Sequence, residues 1–276
     1  MDIKKIIEQV EKFIPFNLRK NFYKNLKNLT IEYIGTVDLN CAYNEEFNGS
    51  LSAYDYKTNT IEVNLNAINN AVANVEKNKK QKYEELFRHA LIHELLHMAS
   101  TNYKKLKPTK TGLGYIDACN EDITLIGITE GYTELLASEI EKENITFLKN
   151  NPYVYQILLS KQIEIIVGKS VMTESYFTES ADKLIKKRLK KINSDLPVET
   201  LLELISSTLY EQYDEDSLYF ILCEIQKKLK ELCKIKYLNQ ELSDKELEEF
   251  KSYIIDKNLY YIDKNAAELV KTYKRV

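Results

Sequence analysis

The sequence predicts an α+β fold in which a small antiparallel sheet and one buried helix are followed by a mostly helical C-terminal lobe. Three observations lead there. β-Patterned segments are concentrated in residues 30–65, the segment 83–101 is apolar almost all the way round, and helical periodicity runs through nearly everything beyond Pro152. The matching organisation is a core over residues 1–145 with a helical lobe, 146–276, packed on it. With 276 residues, 44% hydrophobic and 29% charged, the chain is long enough to bury one substantial core.

Taken in order, Ile3, Ile6, Ile7, Val10 and Ile14 fall at helical spacing up to Pro15, and Leu18, Phe22, Leu26 and Leu29 share a face of a second helix. Charges between these residues leave no continuous apolar run of the kind a signal peptide needs. "LTIEYIG" reads as a strand. "SLSAYDYKTNTIEVNL" reads as a hairpin turning at Lys57, Thr58 and Asn59, its second arm covering Ile61 to Leu65. The polar run "EKNKKQKYEE" leads into a helix from about Tyr83 to Thr101, whose apolar residues surround it as expected of a central buried helix. Residues 102–126, with Pro108, Gly112 and Gly114, read as irregular apart from a short hairpin near "GLGYIDA", and a new helix starts near Thr129. Further on, Leu218, Leu222, Ile225, Leu229 and Leu232 form a core stripe, alternating steps of four and three.

Composition excludes several classes of function. A net charge of −3 gives no overall positive field for nucleic acid or an anionic membrane. The basic run "KLIKKRLKK" keeps Leu184, Ile185, Leu189 and Ile192 on its other side and reads as a solvated helix face. No segment approaches the ~18 uninterrupted apolar residues of a membrane span. Cys41, Cys119, Cys223 and Cys233 form no C-x-x-C pair, so they read as free thiols in a reducing compartment. A cytoplasmic location is the expectation.

Chemistry concentrates in "HALIHELLHMAS", which holds all three histidines, His89, His93 and His97. His93, Glu94 and His97 spell H-E-x-x-H. One helical turn, about 6 Å, separates the two histidines, so both imidazoles leave the same face and can reach one ion, with Glu94 about 100° further round. Catalytic zinc needs a third protein ligand and an open position. His89 cannot supply it together with the other two, because positions 89 to 97 span about 12 Å of helix; it is expected to flank the core or support a ligand. A carboxylate from elsewhere is required. "TEGYTELLA" offers Glu130 and Glu134, four residues apart on one face: one can bind the ion while the other accepts the N–H of a ligating histidine. Read by themselves, the two are better explained as a pair of solvent-facing acids in the first turns of a helix.

"HELLH" followed 33 residues later by "EGYTE" resembles the gluzincin metallopeptidases, the thermolysin-like clan, over about residues 30 to 145. The resemblance implies a zincin-like fold, one Zn2+ held by His93, His97 and Glu130, Glu94 as general base, and Glu134 orienting a histidine, in place of the commoner Asp. It also implies that the strand around Ile61 to Leu65 runs along the cleft and that a peptide or protein substrate adds to the hairpin edge. The expected activity is zinc-dependent peptide-bond hydrolysis, with an oxyanion donor among Tyr115, Tyr132, Tyr210, Tyr213 and Tyr219. The alternatives are an inactive zincin-fold binding or regulatory module, and a helical scaffold without metal in which Glu130 lies far from His93. Cys119 is a further possible metal ligand that would mask the site, against the simpler reading of a buried free thiol.

Overall fold

The computed structural model describes residues 2–47, 49–117, 123–142, 153–209 and 214–255. Its architecture is α+β. Helix α1 (Ile3–Phe13), capped by Asp2, and α2 (Lys20–Leu26) pack on the long central α4 (Lys79–Ser100), burying Ile6, Val10 and Phe22. Asn25 of α2 donates from Nδ2 to the carbonyls of Met98 and Thr101, each at 2.8 Å, and so satisfies orphan acceptors at the end of α4.

Three strands form the first sheet: β1 (Thr30–Ile34), β2 (Ser52–Asp55) and β3 (Thr60–Asn64), in the order β1-β3-β2. The β2–β3 hairpin turns at the expected place and is antiparallel, but β1 runs parallel to β3, so the sheet is mixed and not antiparallel. Alternation reports which face a residue takes and not strand direction, and the long connection between Ile34 and Ser52 lets the chain return to the same end. The order also corrects the expected cleft strand. β3 is paired on both sides, so the edge lying over α4 is β2. Nor does the strand reach Leu65, because Asn64 accepts from the amide of Ala67 and caps a short helix, α3 (Leu65–Ala71).

Residues 102–115 are more regular than expected. They form an antiparallel meander of β4 (Asn102–Lys104), β5 (Lys107–Thr111) and β6 (Gly114–Tyr115). Lys105 and Leu106 both take left-handed backbone, φ 50° and 67°, in the tight β4–β5 turn. Such turns normally announce themselves with Asn or Gly, and here that signal is missing.

Helix α5 (Ile126–Glu141) lies beside α4, and its most extensive packing is on α6 (Val154–Val167). Beyond it come α7 (Lys169–Phe177), α8 (Lys183–Ile192), α9 (Val198–Ser207), α10 (Glu215–Leu238) and α11 (Asp244–Ser252). Leu222, Ile225, Leu229 and Leu232 of α10 are buried as the core stripe requires. On α8, Ile185 and Leu189 face inward, while Lys186, Arg188 and Lys190 pair with Asp182, Glu241 and Glu199. Among the described residues no helix is long and apolar enough to cross a membrane.

Gly131 decides how close α5 comes to α6. A Cβ there would overlap the backbone carbonyl of Gln156, and one on Gly127 would meet the Ser206 carbonyl oxygen at 2.6 Å. Overpacking of this kind costs about 1–3 kcal/mol. Gly131→Ala is therefore expected to lower the thermal unfolding midpoint by several degrees. An unchanged midpoint would show that the two helices separate freely.

Candidate metal centre

From His89 to Ser100 every residue of α4 is buried, three full turns enclosed by α1, α2, α5, α7 and the first sheet. Apolar packing accounts for Leu91, Ile92, Leu95 and Leu96, but the same turns carry three imidazoles and a carboxylate into the interior, where polar groups require partners. The partners stand on α5. His97 and His93 meet Glu130, His93 and His89 meet Glu134, and His89 meets Glu141, so the two helices run antiparallel with histidines facing glutamates.

At the inner end, three ligand atoms converge. His93 Nε2 and His97 Nε2 are 3.0 Å apart, and Glu130 Oε2 is 3.2 Å from the first and 3.4 Å from the second. For zinc bonded at ~2.0–2.1 Å, tetrahedral ligand atoms stand about 3.3–3.4 Å apart. A hydrogen bond satisfies a pair of atoms, whereas three electron-pair donors around one point are satisfied by a cation. His93, His97 and Glu130 are the group able to hold a metal ion among the described residues. Of the three, Glu130 is the most open, with 16% of its side chain exposed.

Glu134 lies between His93 and His89. Its Oε1 is 2.9 Å from His93 Nδ1, with the ring N–H aimed off the oxygen, and its Oε2 is 3.0 Å from His89 Nε2. Glu94, the proposed base, projects from the same helix, and its Oε1 accepts a 2.8 Å hydrogen bond from Ser52 Oγ on β2. That bond holds one carboxylate oxygen and leaves the other for chemistry.

The local charge balance is compatible with a divalent ion. Glu94, Glu130, Glu134 and Glu141 supply four carboxylates. Arg88, 3.1 Å from Glu141 Oε1, supplies one positive charge. His89 supplies another, because both its ring nitrogens face carboxylates, Glu141 Oε2 at 2.7 Å and Glu134 Oε2 at 3.0 Å, and must both donate. Two negative charges are left over, which one dication or two imidazole protons cancel. Burial alone would strip the proton from His93, but Glu134 and Glu130 outweigh it and hold its pKa well above the ordinary value. Burial likewise opposes ionisation of Glu130 and Glu134, and the facing imidazoles overcome it, keeping both carboxyls well below the usual carboxylate range.

Several contributors were not picked out from the sequence. Ser52 is one serine among many. Glu141 sits seven residues after Glu134, hence on the same helix face, and pairing the stripe His89, His93, His97 against Glu130, Glu134, Glu141 would have exposed it. Tyr153, at the start of α6, stacks on His93 with ring centroids 6.4 Å apart and planes within 20°. Burial, reinforced by Glu130, Glu134 and Glu94, pushes its phenol pKa well up, so it stays a neutral O–H donor. Two expected oxyanion donors are committed elsewhere: Tyr132 donates to Glu164 at 3.0 Å, and Tyr115 donates to the Ser180 carbonyl at 3.2 Å. Tyr219 lies on α10, which packs on α6, α8 and α9. Tyr210, Tyr213 and Cys119 fall outside the described residues.

No family model matches this sequence, and no significant match is found among curated proteins or solved structures.

The His89 pKa gives a pH test. Burial lowers it, but Glu134 and Glu141 prevail and it is pushed up to about 9 from 6.5. A raised folded value means that this stabilisation is complete below about pH 6.5 and is lost as pH rises through about 9. The metal-free protein should thus show a falling unfolding midpoint between about pH 7 and 9, and the fall should be shallower in His89→Gln. A wild-type midpoint flat across that range would contradict the His89 assignment.

Proposed function

We propose that the protein is a zinc-dependent peptidase of gluzincin type, with a zincin-like core in which His93, His97 and Glu130 hold one Zn2+. The observation carrying this reading is the convergence of three ligand atoms at 3.0–3.4 Å, beside a carboxylate on the same helix that is fixed by a hydroxyl from the sheet edge. The metal-free scaffold required Glu130 to lie far from His93, and the 3.2 Å contact counts against it. An intact Glu94 counts against an inactive module.

When bound, the ion supplies Lewis acidity, polarising a carbonyl and making a water nucleophilic near neutral pH. The chain's own groups do the rest. Glu94 takes the proton of the attacking water through the oxygen that Ser52 leaves open, then passes it to the leaving amine. Glu134 steadies His93 and strengthens it as a ligand. Tyr153, whose ring stacks on His93, would donate its O–H to charge developing on the carbonyl oxygen.

Substrate orientation follows from the sheet. Leu51 pairs through its carbonyl with the Asn64 amide, which in an antiparallel ladder turns the backbone groups of Ser52 and Tyr54 to the outer edge of β2. A peptide or protein segment laid along that edge passes the residue whose side chain holds Glu94.

Elemental analysis of protein purified without chelator is expected to show one zinc per chain, lost in His97→Ala. No metal in the wild type would end the proposal. Glu94→Gln should keep the zinc and lose cleavage of a mixed peptide library, and Tyr153→Phe should keep the zinc with turnover lower by about 10²–10³. Unchanged turnover in Glu94→Gln would remove Glu94 as the base.

A further inference from the structure

The contacts continue past Glu134, away from the ligand atoms. Glu134 is buried and uses both oxygens, Oε1 toward His93 Nδ1 and Oε2 on His89 Nε2. The other nitrogen of His89 is 2.7 Å from Glu141 Oε2, and Glu141 Oε1 is 3.1 Å from Arg88 Nη1. Arg88 Nη2 in turn donates to Gln9 Oε1 of α1 at 3.0 Å. A continuous series of polar contacts thus links the imidazole of His93 to a partly exposed arginine and the first helix.

We infer that His89 is a positioning residue for the metal centre, holding the Glu134 carboxylate against His93 from the far side, itself held by Glu141 and Arg88. This rests on the reading of His93, His97 and Glu130 as metal ligands. A glutamate has three side-chain torsions, and one contact to His93 leaves most of them free to turn. With its second oxygen on a doubly donating imidazole, Glu134 cannot rotate away without breaking a charge-assisted hydrogen bond. The imidazole is rigid, and Glu141 fixes its opposite edge, so the orientation passes through it. His89 also offsets one buried negative charge, so that the cluster loaded with a dication is neutral. The histidine that is too far along the helix to ligate therefore acts on the metal through Glu134.

The test is zinc affinity, measured by competition with a chromophoric chelator at neutral pH, for wild type, His89→Ala, Glu134→Gln and the double variant. His89→Ala should bind zinc about tenfold more weakly. Because His89 acts through Glu134, adding it to Glu134→Gln should cost little more. A residue serving only to pack α4 on α5 would lower the unfolding midpoint of the metal-free protein and leave zinc affinity at the wild-type value; that result overturns the inference. So does a double variant whose loss is the product of the two single losses. Should His89→Ala not fold, His89→Gln replaces it; its amide reaches one of the two carboxylates, and a loss smaller than that of Glu134→Gln is expected, while wild-type affinity again overturns the inference. If the wild type itself binds no zinc, the metal centre falls and His89 with it, an outcome distinct from tight wild-type binding that His89→Ala leaves unchanged.

Discussion

The structure turns on one constraint: α4 carries ionisable groups through the middle of the molecule, and each must find its partner there. Three turns of it are enclosed on every side, so His89, His93, His97 and Glu94 have little access to water. An unpaired charge at such depth costs several kcal/mol. Helix α5 answers with glutamates at the matching spacing, and antiparallel packing brings each histidine to one or two carboxylates. The register between the helices is consequently specified twice, once by apolar packing and once by charge. A slip of one turn would pair His97 with no acid and leave Glu141 facing none of the histidines.

Elements remote from the ligands hold that register. Asn25 fastens α2 to the last carbonyls of α4, and its own carbonyl accepts from Asn59 Nδ2 at 2.8 Å, tying the end of α4 to the β2–β3 turn. Lys110 of β5, almost wholly buried, donates to the Ser100 carbonyl at 3.3 Å and to that of Tyr176. Burial pushes its pKa well below the ordinary lysine value. Ser100 and Thr101 hydroxyls both bond the His97 carbonyl, at 2.9 and 2.8 Å, so the turn carrying the second histidine is closed by side chains. On the other flank, Gly131 lets α6 press on α5 at the residue next to Glu130. The three candidate ligand atoms come close together because the helix ends around them cannot drift.

Much of this was legible in the sequence, and what escaped it has physical causes. Spacing alone put His93 and His97 on one face and excluded His89 as a co-ligand, because helix geometry is fixed by the backbone. It left open whether Glu130 and Glu134 faced solvent or the histidines, a question of tertiary packing on which periodicity is silent. The β2–β3 hairpin was visible because polar turn residues separate alternating arms. The direction of β1 was not, since alternation is the same in either direction. The β4–β5 turn lacked Gly or Asn, and Pro108 with its neighbouring lysines imitated a loop. Ser52 and Tyr153 became visible only when chain segments distant in sequence were brought against α4.

The proposed choice of zinc rests on the neighbours of the candidate ligands more than on their spacing. Two imidazoles and a carboxylate at 3.0–3.4 Å suit tetrahedral zinc, and the same donor set also builds facial iron(II) sites, whose wider coordination shell brings ligand atoms about equally close. Calcium and magnesium are poorly served, since both favour oxygen donors. Between zinc and iron, Glu94 weighs most. Activating a water for attack requires a proton acceptor beside the ion, and Ser52 holds one Glu94 oxygen so that the other faces a single way. A site built for oxygen chemistry has no need of a buried carboxylate poised to take a proton and return it. The proposed reading also accounts for this acid standing on the helix that carries the candidate ligands: one rigid element would set the distance between base and ion, and β2 only the rotation.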